Sequence, residues 1–274
     1  MNRDELFSHV QKFSEDQYSN EHRLNARIQL YQYCEHKRDW HEWVFEHLGL
    51  TEGLKIAEIG CGTGVLWEKN MSKLPSKSEI VLTDASRGMV VTAKGSINDP
   101  LNRFHYEVVD AEKMPWPDHS FEVLIANHLL YHFQDHRKIF SEINRVLVPN
   151  GTAYASTVSA NNYRELLQLI LKFDGRLSFF NEAVKNFNLE NGQDILGKYF
   201  KVTAQYVLQN DIVIHSAAPL ILYVASYFSE DQLHILTDRF NELCDYLQGT
   251  LERSGALRIT NRNVLFQYQR VSTG

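Results

Sequence analysis

Residues 55–64 read K-I-A-E-I-G-C-G-T-G, a short apolar run that ends in three glycines at alternate positions. The run predicts a strand over Ile56–Gly60, and Val65-Leu66-Trp67 then opens a helix over Val65–Leu74. Glycines at 60, 62 and 64 permit positive φ and allow a ligand to approach the backbone closely. The next apolar run, V-L-T-D, ends at Asp84, where a carboxylate at a strand end can hold a ribose diol. Strand, glycine turn, helix and strand with a terminal acid point to a nucleotide-containing cofactor. The dinucleotide fingerprint G-x-G-x-x-G would need glycine at position 65, which is Val65, so this turn is of another kind.

The alternation continues beyond the loop. Ile80–Thr83, Phe104–Val109, Val123–Asn127 and Thr152–Thr157 are short and apolar, as strands covered on both faces should be. Gly88–Ile97 and Asp135–Leu147 read as the intervening helices, the second stopped by Pro149-Asn150-Gly151. Repeated β-α-β with short connections predicts a Rossmann-like α/β fold, a doubly wound parallel sheet. Such sheets bind ligands at the carboxyl ends of their strands.

Outside this core, Leu24, Ile28 and Tyr31 recur at helical spacing, and a second helical segment starts at Asp39. Further on, Asn162–Phe173 and Asn191–Phe200 read as helices, and Val202–Val207 and Ile212–Ile214 as strands. Asp231–Leu251 reads as one long helix and Val264–Tyr268 as a last strand.

Composition removes several function classes. The formal charge is −6 and no Lys/Arg block stands out, so no nucleic-acid partner is expected. The most apolar stretch, Ala217–Phe228, is too short to span a bilayer and contains Pro219. The start M-N-R-D-E-L-F-S-H lacks a secretory pattern, and the three scattered cysteines fit a reducing compartment, so a cytoplasmic location is expected. His36/His41 and His128/His132 are the histidine pairs that could suggest a metal; neither has a convincing carboxylate or cysteine partner at ligand spacing, and no metal is expected. Cys61, beside a helix start, is a candidate for a lowered thiol pKa, with loop filling as the plainer reading.

The third strand runs into V-V-D-A-E-K-M-P-W-P-D-H-S-F-E-V-L-I-A-N. Asp110 again sets a carboxylate at a strand end, where it can accept from an adenine amino group. With E-I-G-C-G-T-G, L-T-D-A-S and E-I-N-R-V-L-V-P-N-G-T, this span resembles the class I S-adenosylmethionine-dependent methyltransferases, of the bacterial stand-alone small-molecule type. The resemblance covers roughly residues 50–158.

The resemblance implies a seven-stranded sheet, mostly parallel with an antiparallel last strand. It also implies a helical cap over residues 1–50 and a methyltransferase domain over 51–274 with a lid insertion at about 160–200. It implies that Glu58, Gly60, Cys61, Gly62 and Gly64 line the methionine portion of S-adenosylmethionine and that Asp84 holds the ribose. Ala85 and Met89 would lie beside the adenine, Asp110 and Ala111 would meet its amino edge, and Asn127 would meet the ammonium. The family often has Glu where Asp84 stands. The reaction implied is in-line transfer of a methyl group to an O, N or C atom of a small-molecule acceptor, in which alignment supplies much of the rate.

His128 and His132, just past the fourth strand, are candidate general bases, since an ordinary imidazole titrates near ~6.5; the plainer reading makes them first-turn packing residues. Tyr18, Trp40 and Tyr131 are candidate substrate-binding aromatics, against a plainer role as packing. A homodimer is compatible with the sequence. Two other functions fit parts of the pattern: an NAD-linked oxidoreductase, disfavoured by Val65, and a non-catalytic S-adenosylmethionine-binding module.

Overall fold

The computed structural model describes residues 1–15, 19–179 and 181–270. Its strands are β1 (Lys55–Ile59), β2 (Glu79–Asp84), β3 (Phe104–Val108), β4 (Phe121–Ala126), β5 (Leu147–Val158), β6 (Phe200–Gln209), β7 (Ile212–Ile214), β8 (Leu257–Ile259) and β9 (Arg262–Arg270). Its helices are α1 (Arg3–Glu15), α2 (Ser19–Leu30), α3 (Trp40–His47), α4 (Val65–Asn70), α5 (Arg87–Ser96), α6 (Arg137–Val146), α7 (Arg164–Phe173), α8 (Gly192–Leu196), α9 (Ala217–Ala225), α10 (Glu230–Asp238) and α11 (Phe240–Ser254). The chain forms two compact units, each assembled from non-contiguous segments.

The sheet unit comprises Arg38–Ala160, Glu182–Leu208 and the chain from Asn263 on. Its seven strands run in the order β3-β2-β1-β4-β5-β9-β6. The pairs among β1 to β5 are parallel, and β9 is antiparallel to β5, the mixed sheet expected. Both faces are covered. Along β4, Phe121, Leu124 and Ala126 join one apolar core while Val123 and Ile125 join the other, which is why the strand reads as a continuous apolar run. The Pro149-Asn150-Gly151 break falls inside β5. The pairing jumps from Phe121↔Leu147 to Val123↔Thr152, and Asn150 takes φ 64° in the interruption.

The helical unit comprises Met1–Lys37, Asn161–Asn181 and Gln209–Arg262. Its own core gathers α1, α2, α7 and α9–α11 with the two-stranded sheet of β7 and β8. Three expectations are corrected here. The long helix over Asp231–Leu251 is two helices, parted at Arg239 (φ −114°, ψ 22°), whose side chain bonds Glu242 and Asp174. The helix expected over Asn191–Phe200 shortens to α8, because Phe200 begins β6. Among the described side chains of α2, Ala26 and Leu30 are buried, whereas Ile28 is 53% exposed and Tyr31, just beyond its end, is 49% exposed; the Leu24 side chain lies outside those described. The inward face of α2 carries Arg23, Ala26, Arg27 and Leu30, with both arginines bonded to backbone carbonyls. An apolar count cannot register such a face. The apolar stretch from Ala217 forms α9, with Pro219 in the first turn, where no intrahelical donor is missed.

Candidate functional site

The three glycines leave β1 with φ 69°, 55° and 77° at Gly60, Gly62 and Gly64. All three lie in the left-handed region, where a side chain costs about 1–2 kcal/mol. Their surroundings differ. A Cβ on Gly64 would stand 3.0 Å from Ile97 Cδ1 and 3.1 Å from Ala93 Cβ, so Gly64 lets the loop sit against α5. A Cβ on Gly62 would meet nothing within 4 Å. The close packing that a dinucleotide fold assigns to its third glycine is thus carried one residue earlier, at Gly64. Gly64→Ala is expected to cost about 2–4 kcal/mol and lower the melting temperature by roughly 4–12 °C. Gly62→Ala carries the strain alone, about 1–2 kcal/mol. Equal melting temperatures for the two variants would refute this packing role.

Asp84 ends β2 and turns its carboxylate onto the loop. Oδ2 accepts from Gly62 N at 3.0 Å and Oδ1 from Ser86 N at 2.8 Å. Ser86 in turn caps α5 through Met89 N. Ala85 is exposed and Met89 is 43% exposed. Val109 N donates to Asp84 O, which joins the ends of β2 and β3. Asp110 follows, exposed, its Oδ1 accepting from Glu112 N, while Ala111 packs against the sheet core.

Glu58 lies inside β1, 2% exposed, its Oε2 accepting from Trp67 Nε1 at 2.5 Å. Burial, opposed by the indole bond and reinforced by Asp84, pushes its carboxyl up to about 8. Cys61 is buried beside these acids, and its thiol is raised far above the ordinary range, chiefly by burial. Of the two readings of Cys61, the lowered pKa is the one corrected: burial, reinforced by Glu58 and Asp84, outweighs the helix start.

Past β4, Asn127 Oδ1 accepts from Ser156 Oγ, and the same oxygen of Ser156 accepts from His128 N at 3.0 Å. His128 sits at φ 50°, an uncommon conformation for a residue with a side chain. Its ring lies 5.2 Å from that of Trp40, which stacks on Trp43 at the same separation. Burial, with His41 nearby, lowers the His128 imidazole to about 4. The ordinary imidazole assumed from sequence is thus replaced by a neutral, weak base. A depressed folded pKa stabilises the protein above the unfolded value near ~6.5, and that contribution is lost as pH falls towards 4. Between these pH values the wild type should lose about 1–3 kcal/mol more stability than His128→Gln in urea unfolding. Matching losses would contradict the burial of this ring.

Tyr131 lies 6.4 Å from His128 and 4.5 Å from His132 between ring centroids, and its carbonyl accepts from Asn186 Nδ2. His132 is exposed. Tyr18 lies outside the described residues.

Where α3 meets α4, Asn70, a residue not anticipated from sequence, joins Trp40 and His41, its Nδ2 donating to His41 O. Asp39 caps α3 by accepting from His41 N and Glu42 N. Behind this cap Trp40 Nε1, His41 Nδ1 and Asn70 Oδ1 are shielded from solvent and have no hydrogen-bond partner among the described residues. His41 Nδ1 is 3.7 Å from Asp39 Oδ1, beyond a good hydrogen bond. Buried polar atoms are rarely left so. The spacing of W-H-E-W was the sequence signal, but packing alone decides that these atoms go unpaired.

Glu58, the glycine loop, Asp84, Ala85, Met89, Asp110, Ala111 and Asn127 therefore gather at the carboxyl ends of four neighbouring strands. Among the described residues no group of three or more His, Cys, Asp or Glu side chains is placed to hold a metal, and no helix is long and apolar enough to cross a membrane.

Residues 57–155 match the model of a family described as a methyltransferase domain. Malonyl-[acyl-carrier protein] O-methyltransferase 1 of Ilyobacter polytropus is 30% identical over 161 residues, 59% of this chain and 58% of that protein. The second such enzyme of that organism is 25% identical over 214 residues, 77% of this chain and 80% of its own length. The ubiquinone/menaquinone biosynthesis C-methyltransferase UbiE of Shewanella baltica is 29% identical over 116 residues, 42% of this chain and 46% of that one. The chain thus spans less than two thirds of the first of these relatives and of UbiE. Among solved structures, a putative methyltransferase from Bacillus halodurans superposes with TM-score 0.55 at 14% identity, covering 85% of this chain and 99% of the other. The YcgJ protein of Bacillus subtilis gives 0.54 at 20%, covering 85% and 98%. These two likenesses concern the fold.

Proposed function

We propose that the chain transfers a methyl group from S-adenosylmethionine to an O, N or C atom of a small-molecule acceptor by in-line displacement, a reading supported by the match of residues 57–155 to a methyltransferase-domain family. The observation that carries this reading is the joined pair of loop and acid, in which Gly62 N donates to Asp84 Oδ2.

The residues present fit the cofactor. Asp84 keeps lone pairs beyond its two backbone bonds for a ribose diol, and Gly62 leaves open space for close approach. Trp40 Nε1 is a buried donor suited to a carboxylate. Glu58 and Asn127 offer acceptors where the ammonium would lie. Asp110 and Ala111, with Ala85 and Met89, flank the adenine end in this reading.

S-adenosylmethionine supplies a methyl group already activated on a sulfonium, so the protein's task is chiefly alignment. His128, neutral at physiological pH, adds no charge of its own beside that cation. Its free nitrogen can accept a hydrogen bond from a hydroxyl or amine acceptor and orient it. His132 and Tyr131 are assigned to the acceptor side. The two kinds of relative named above methylate an oxygen and a carbon according to their names, so the reading keeps the acceptor atom open. Three free buried cysteines fit a reducing, cytoplasmic setting.

Calorimetry with S-adenosylmethionine and with NAD tests the cofactor. Saturable binding of the first and silence with the second are expected, and binding of NAD alone would overturn the proposal.

A further inference from the structure

The helical unit contains a cluster that methyl transfer does not explain. Tyr163 enters α7 with φ 59° and ψ 16°, left-handed values that a large side chain rarely adopts. Its hydroxyl lies 3.4 Å from that of Tyr31. Its ring stands 4.9 Å from Tyr223, which stands 5.3 Å from Tyr227. Tyr223 is 3% exposed and forms the back of the cluster, while Tyr31 is 49% exposed and opens it to solvent. Burial and the neighbouring hydroxyls hold Tyr163 and Tyr223 well above the ordinary phenol range, so both keep their protons as donors.

A guanidinium joins the phenols. Arg27 Cζ lies 4.1 Å above the Tyr227 ring. Arg23, four residues earlier, gives all three nitrogens to the carbonyls of Phe13, Ser226 and Phe228. Arg27 spends Nε on Ser226 Oγ and Nη2 on Ser226 O, and Nη1 has no acceptor among the described residues. Neither arginine has a carboxylate within ion-pair distance among those residues. Two like charges at i, i+4 repel, and the negative end of α9 offsets only part of that, since its carbonyls occupy Arg23 more fully than Arg27.

We propose that this cluster is a binding site for an anionic small molecule, a carboxylate or a phosphate carried on a flat apolar body. Arg27 and the Tyr31 and Tyr163 hydroxyls receive the anion, and the exposed Tyr31 ring and the partly exposed Tyr227 ring receive the body, with Tyr223 behind them. Phenol donors and a guanidinium are matched to oxyanions rather than to cations, and a guanidinium favours the two-pronged geometry of carboxylate and phosphate. The inference concerns the helical unit alone and holds whatever cofactor the sheet unit takes.

The full chain, free of cofactor, should be titrated with benzoate, phenyl phosphate and neutral benzamide. At least one anion should saturate a single site below about 10 mM, with benzamide about tenfold weaker or silent. Preference between the two anions tells carboxylate from phosphate. Arg27→Gln should weaken the preferred anion about tenfold without changing S-adenosylmethionine affinity. Tyr31→Phe, an exposed change that spares the fold, should weaken it about threefold and serves if Arg27→Gln does not fold. Benzamide binding as well as the anions, no saturable binding of either anion, or unchanged affinity in the folded variants would overturn the proposal.

Discussion

Glu58→Gln is expected to stabilise the cofactor-free protein at pH 8 relative to pH 5 while weakening S-adenosylmethionine binding. Unfolded, this carboxyl titrates near ~4.3; folded, it titrates near about 8 because it is buried against Trp67. A raised folded pKa contributes stability that is complete below the unfolded value and is lost as pH rises through 8. The glutamine variant has no such loss and keeps an oxygen for the Trp67 indole. From pH 5 to pH 8 the wild type should therefore fall behind the variant by about 2–3 kcal/mol, or roughly 4–10 °C in melting temperature. Cofactor binding should move the other way, because the positively charged ligand of the proposed reaction is served by the ionised acid. The wild type should release a proton on binding, visible as a dependence of the calorimetric heat on buffer, and Glu58→Gln should not. Parallel melting curves across that pH range would show that Glu58 does not titrate as its burial requires.

Asp84→Ala should weaken S-adenosylmethionine binding by about 10–100-fold, or about 1–3 kcal/mol. The substitution removes two things together: an acceptor for the ribose and the anchor that holds Gly62 N and Ser86 N. Asp84→Asn keeps one oxygen, so it should retain one of those backbone bonds and lose less. Affinities for wild type, Asn and Ala variants should therefore fall in that order. Unchanged affinity in Asp84→Ala would show that the acid serves the loop alone.

The sheet was readable from residues because each central strand is buried on two faces, so Ile56–Ile59 and Val123–Ala126 announce themselves as uninterrupted apolar runs. The glycine loop was readable because backbone conformation leaves few alternatives at Gly60, Gly62 and Gly64. What stayed hidden depends on partners distant in the chain. Arg23 and Arg27 look like a solvated face until the carbonyls of Ser226 and Phe228 are brought to them. Arg239 interrupts a helix with neither glycine nor proline to mark it, held by Asp174 from another segment. The pKa values of Glu58 and His128 follow from enclosure, which no local pattern encodes. The two units interleave along the chain, so a search for one boundary between contiguous domains has nothing to find.

The position of β9 has a consequence in time. It lies between β5 and β6, paired antiparallel to β5, although it follows both in the chain. During synthesis β6 emerges before its only sheet neighbour exists, and it must wait while β7, α9–α11 and β8 are translated. The first five strands can pair as they appear, whereas closure of the sheet at that edge is postponed until β9 has been made. Until then β5 and β6 carry unpaired edges, the kind of surface on which partly made chains associate with one another.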